Sequence, residues 1–131
     1  HAAPASSWRD ACSMECEHPE LKAFYRRYLQ RCNAHRFDEL DEFVDRDVEV
    51  NGDRLGLRGY AQGLAAVVEA FPDYRWDLRH LLVDGCWLSA HMMDTGTTPA
   101  GRSAKSQEFA MYRVARSRIV EVWGDLDRAQ L

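Results

Sequence analysis

Ser117-Arg118-Ile119-Val120-Glu121-Val122-Trp123-Gly124-Asp125-Leu126-Asp127 is a strand-like run that delivers two carboxylates just past a tryptophan. Alternate residues of a strand point the same way. Strict alternation therefore places Ile119, Glu121, Trp123, Asp125 and Asp127 on one face. An apolar face that ends in acids describes the floor and mouth of a pocket. Working outward, Ser106 to Val114 pairs with Arg118 to Leu126 as a hairpin. Arg75 to Val83 alternates as well, with Trp76, Leu78, His80 and Leu82 on one face and Arg75, Asp77 and Arg79 on the other. Asp84-Gly85 is a hairpin turn signal, so Cys86 to Thr95 is the expected partner strand. Gly96-Thr97-Thr98-Pro99-Ala100-Gly101 has the chemistry of a loop.

Upstream the period changes from two to that of a helix. Pro19 stands where a first helical turn tolerates it. Leu21, Phe24, Tyr25, Tyr28, Leu29 and Cys32 then form one apolar stripe, opposite Arg26, Arg27, Gln30 and Arg31. Phe37 to Val44 reads as a short second helix whose early acids suit the helix dipole. A brief strand from Val48 to Asn51 precedes a turn region with Gly52, Gly56 and Gly59. Tyr60, Leu64, Val67, Val68 and Phe71 mark a third helix, which Pro72 stops. Helices first and antiparallel strands after predict an α+β domain, with N-terminal helices packed on a curved, mostly antiparallel sheet. Residues 1–17 are small, polar and patternless and read as an arm, leaving 18–131 as a single domain.

The 131 residues are 46% apolar and 29% charged, enough for one full core. The formal net charge is -4, and the basic residues make no stripe along which a nucleic-acid backbone could run. No run of about 18 apolar residues exists, which excludes a membrane-spanning helix. The first seven residues lack the basic-then-apolar pattern of a secretion signal, so a cytoplasmic location is expected. Cys12, Cys16, Cys32 and Cys86 are too unevenly spaced for a zinc ribbon and read as free thiols, with a disulfide left open as the alternative. The five histidines form no ligand pair at His-x-His or His-x₃-His spacing, and no glycine-rich phosphate loop is present. Neither a metal nor a nucleotide cofactor is implied.

Several segments in this order resemble the SnoaL-like polyketide cyclase group of the nuclear-transport-factor-2-like superfamily. They are Asn33-Ala34-His35-Arg36-Phe37-Asp38, Phe71-Pro72-Asp73-Tyr74-Arg75-Trp76, the hairpin from Leu81 to Trp87, Thr95-Gly96-Thr97, and Arg118 to Trp123 with Asp127 following. The similarity runs from about Leu21 to Leu131. It implies a cone-shaped α+β barrel around a deep pocket, and homodimers through the outer sheet face. Relatives of this shape include cyclases, isomerases, dehydratases, epoxide hydrolases and binding domains, so the fold does not settle the activity.

The resemblance makes Asp127, four residues after the strand tryptophan, the expected general acid/base. Asp125 is expected on the same face, raising its neighbour's pKa by repulsion or acting as the base itself. His80, among Trp76, Leu78 and Leu82, is a candidate proton carrier or oxyanion donor. His91 stands where relatives often carry a basic residue, and Asn51 matches an asparagine of the group that could orient a substrate oxygen. Tyr25, Trp76, Phe109, Met111 and Trp123 are candidates for the walls of a hydrophobic pocket. Two departures stand out: the loop after Thr97 is short, and the strand from Gln107 to Val114 holds Met111 and Arg113 but no histidine.

The first reading is a cofactor-independent enzyme of cyclase, isomerase or dehydratase type, acting on a hydrophobic carbonyl compound. An Asp would remove a proton beside the carbonyl while a histidine or tyrosine holds the oxyanion. An epoxide hydrolase would recruit Asp94, Arg113, Asp125 and Asn51. A non-catalytic ligand-binding domain is the third reading. The expected partners are a small hydrophobic ligand and a second copy of the chain, with neither nucleic acid nor membrane.

Overall fold

The structure, a computed structural model, describes residues 20–125. The arm over 1–17, Cys12, Cys16 and Asp127 lie outside the described residues. Helix α1 (Leu21–Asn33) buries the stripe predicted for it, Leu21, Phe24, Tyr25, Tyr28, Leu29 and Cys32. The next element is a 3₁₀ helix, Phe37–Glu42, shorter than the helix expected to reach Val44. Strand β1 (Val44–Val50) takes over at that point and starts earlier than expected. Buried Val44 pairs with Ile119, and the Ile119 amide donates to the Phe43 carbonyl at 2.7 Å. Tertiary pairing thus overrides helical preference there. A two-residue strand β2 (Asp53–Arg54) leads into α2 (Gly56–Ala70), which ends before Pro72.

Strands β3 (Arg75–Asp84), β4 (Trp87–Thr97), β5 (Ser103–Ala115) and β6 (Arg118–Gly124) form the two expected hairpins. All six strands make one sheet in the order β2-β1-β6-β5-β4-β3. Only β1 and β6 run parallel, and the first and last strands of the order do not pair. Helices pack on the inner face of this curved sheet, an α+β cone. The largest fully buried side chains, among them Tyr25, Tyr112, Phe43 and Leu40, fill the space between. Each contributes on the order of 1.5–3 kcal/mol by leaving water.

Two irregularities decide which side chains face inward. Leu78 pairs with Met92 and His80 with His91, so Arg79 is an extra residue in β3. Val114 pairs with Ile119 and Arg113 with Glu121, so Val120 is an extra residue in β6. A bulge of one residue reverses the alternation beyond it. Trp76 and Leu81 therefore point inward, while His80 and Leu82 are exposed. Likewise Ile119 and Val122 are buried, while Trp123 lies outside with Glu121. The single face expected for Ile119, Glu121 and Trp123, and that expected for Trp76, Leu78, His80 and Leu82, are each split by a bulge.

Candidate functional site

Three of the segments that carried the resemblance, at Asn33, Asp73 and Thr97, meet in space. Asn33, at the end of α1, donates its amide to the Trp76 carbonyl and accepts the Trp76 amide proton, both at 2.8 Å. His35 Nε2 lies 3.0 Å from the Tyr74 carbonyl, and Phe37 meets Trp76 edge-on. Asp73 accepts the Thr97 amide at 2.8 Å and the Thr97 hydroxyl at 2.6 Å. Those two bonds hold the Asp73 carboxyl below the usual carboxylate range. The start of β3 is thus tied to α1 on one side and to the end of β4 on the other. Trp76 and Tyr74 are thereby aimed at the interior.

Two acids lie in that interior. Asp94 is on the inner phase of β4 and Glu108 on the inner phase of β5, and both are buried. Tyr74 donates its hydroxyl proton to Asp94 Oδ2 at 2.8 Å, while Asp94 Oδ1 is buried with no hydrogen-bond partner. Burial raises the Asp94 carboxyl above its ordinary range, with Glu108 and Tyr74 pulling it back. Glu108 is pushed up to about 9, first by burial, then by Asp94 and by the charge of Asp125. Two carboxyl groups in one low-dielectric site cannot both ionise cheaply, so the pair keeps a proton near neutral pH. Glu108 is the group that keeps it.

Glu108 lines a narrow cleft of about 10 Å³ together with Tyr28, Leu29, Cys32, Tyr60, Leu64, Trp76, Met92 and Tyr112. Tyr28 and Tyr60 share a hydrogen bond of 2.5 Å, and Tyr25 Oη lies 3.0 Å from Tyr112 Oη and 3.4 Å from Met92 Sδ. Burial raises all four phenols and lifts the Cys32 thiol to about 12, so these groups stay neutral donors. The arrangement is a hydrogen-bond-rich apolar cleft with one neutral carboxylic acid at its wall. It can donate to an oxygen that gains negative charge.

The residues nominated from sequence divide between inside and outside. Trp76 lines the cleft, and Tyr25 is fully buried behind it in the core. His80, His91, Phe109, Met111 and Trp123 lie on the outer face of the sheet. There His80 Nδ1 is 2.9 Å from His91 Nδ1, His91 Nε2 is 2.7 Å from Gln107 Oε1, and Phe109 stacks on His91. Asn51 holds positive φ and clamps Gly124, donating to its carbonyl at 3.1 Å and accepting its amide proton at 2.9 Å. It positions the segment that carries Asp125. Arg113 pairs with Glu121 at 2.8 Å on the outer face of the sheet. Glu108 was the residue sequence reasoning overlooked. Its signal was an acid on the inner phase of an otherwise uncharged alternation, Ala104, Ser106, Glu108, Ala110, Tyr112, Val114.

Of the described cysteines, Cys32 is free and buried, as expected, whereas Cys86 is disulfide-bonded, which corrects the free-thiol reading for that residue.

Helices packed on the inner face of a bent, open sheet make an α+β cone with two acids in its interior. The description "SnoaL-like polyketide cyclase" matches residues 22–131, and the chain belongs to that family. A SnoaL-like polyketide cyclase from Agrobacterium tumefaciens is 32% identical, with a TM-score of 0.76 over 80% of this chain and 89% of its own. IdmH from Streptomyces antibioticus is 19% identical, with a TM-score of 0.75 over 82% and 91% of the two chains. The protein titled Rd1NTF2_04 with long sheet is 16% identical, with a TM-score of 0.62 over 79% and 98%. The last two show the fold alone. No curated protein matches the sequence.

Proposed function

We propose that the chain is a cofactor-independent acid/base enzyme of cyclase or isomerase type, acting on a hydrophobic carbonyl compound. The observation that carries this reading is the buried Glu108 carboxyl on the wall of an aromatic cleft, raised by burial, by Asp94 and by the charge of Asp125. A carboxylate, Asp127 by the family resemblance or Asp125, removes a proton from the carbon beside the carbonyl. The electron pair moves to the carbonyl oxygen, and the Glu108 proton bonds that oxygen as charge develops. Return of the proton to another carbon is isomerisation, attack of the enolate carbon on a second carbonyl is ring closure, and loss of hydroxide after enolisation is dehydration. Asp94 is a positioning residue that keeps Glu108 neutral.

The test is deuterium incorporation, followed by NMR, beside the carbonyl of hydrophobic ketones such as 2-tetralone in heavy water. Parent protein should accelerate exchange, while Glu108→Gln, Asp125→Asn and Asp127→Asn are compared with it. Unchanged exchange in all three variants would sink the assignment. A binding-only role is the second reading, favoured by the closure of the cleft to about 10 Å³, room for about one water.

The outer face supports self-association. Phe109, Met111 and Trp123 are exposed there on adjacent strands β5 and β6, with Leu82 in the same row on β3. A second copy of the chain is the occupant proposed for that patch. No helix among the described residues is long and apolar enough to cross a membrane. Against a cytoplasmic location stands the disulfide at Cys86, since such bonds persist in oxidising compartments.

A further inference from the structure

A second hollow lies on the far side of Trp76 and Leu29, the two residues that also wall the interior cleft. It has a volume of about 300 Å³, the lower end of the range for small-molecule sites. Leu29, Trp76, Leu78 and Leu81 line it, together with the polar Gln30 and Asn33, the acid Asp77, and Arg26, Arg75 and Arg79. Arg79 is paired with Asp77 at 3.1 Å, whereas Arg26 and Arg75 form no ion pair among the described residues. Helix α1, which forms one bank, carries four cations and no acid in a chain whose net charge is -4. Gathering unpaired guanidinium groups beside apolar side chains costs repulsion unless an anion comes to them.

We propose that this groove binds the anionic end of an amphipathic organic acid, the apolar body of which lies on Trp76 and the three leucines. Guanidinium groups suit a carboxylate or a phosphate equally, through paired N–H donors. This deepens the function proposed above and rests on it in one respect. The groove and the cleft that holds Glu108 share Leu29 and Trp76, so one molecule with its acidic end at Arg26 and Arg75 would present its carbonyl toward that shared wall. The substrate class is then a hydrophobic carbonyl compound bearing a carboxylate or phosphate.

The experiment is calorimetric titration of the whole chain with 2-naphthoate, naphthyl phosphate and neutral 2-naphthamide at low salt. Both anions should bind about tenfold or more tighter than the amide, a difference that Arg26→Gln with Arg75→Gln should abolish and added salt should weaken. Glu108→Gln should leave the preference for anions intact, because that residue is on the other side of the wall. Equal binding of acid and amide, or a preference that survives loss of both arginines, overturns the groove assignment. Anion binding intact in a protein without enolising activity would instead sink only the catalytic reading. A preference for phosphate over carboxylate, or the reverse, assigns the head group.

Discussion

Replacing Glu108 with glutamine keeps the shape and a hydrogen-bond donor while removing the titration that burial has displaced. The folded carboxyl titrates at about 9, against 4.5 for an ordinary glutamate. Between those values the folded chain holds a proton that the unfolded chain has released, so stability falls as pH rises. The stability associated with neutral Glu108 is complete below about 4.5 and is lost progressively up to about 9. At about 1.36 kcal/mol per pH unit, the loss between pH 4.5 and 7 is at most about 3 kcal/mol. Asp94 shares the titration and reduces the effect, so about 2 kcal/mol is expected. Glutamine does not titrate, and contributions from groups not coupled to Glu108 cancel when variant and parent are compared. Urea unfolding at pH 5, 7 and 8.5 should therefore show Glu108→Gln gaining on the parent by about 2 kcal/mol from pH 5 to 7, and by more at pH 8.5. Parallel stability curves for the two proteins would refute the claim that Glu108 is held protonated by its surroundings.

Gly124→Ala should be severe. Gly124 has φ of 146°, and a Cβ there would lie 2.4 Å from the Phe109 carbonyl oxygen and 2.9 Å from Ala110 Cα. A loss of more than about 3 kcal/mol is expected, and a melting temperature within a few degrees of the parent's would contradict the packing described. Tyr60→Phe removes the partner of the buried Tyr28 hydroxyl and should cost about 1–2 kcal/mol in urea unfolding, with no cost if that bond is energetically idle. Phe109→Ser combined with Trp123→Ser should convert a dimer to a monomer in sedimentation while the circular dichroism spectrum is kept. An unchanged mass would move the self-association contact elsewhere.

Element type was legible along the chain because periodicity survives in sequence. The stripe of α1, the stop at Pro72 and both hairpins follow from spacing and turn chemistry, and the acid on the inner phase of β5 was legible in principle. The facing of His80 and Trp123 was not. The extra residues Arg79 and Val120 look like any neighbours, and only the register with β4 and β5 shows that they bulge. Nor does local sequence tell that Asp94 and Glu108, on adjacent strands, come together, or that Asn33 grips Trp76 across 43 positions. Burial and mutual charge exist only once distant segments are brought side by side. The amino-acid pattern alone determined the two long helices, the two hairpins and the family resemblance. The tertiary structure alone decided which acid is forced to keep its proton, because that depends on what surrounds it rather than on what precedes it.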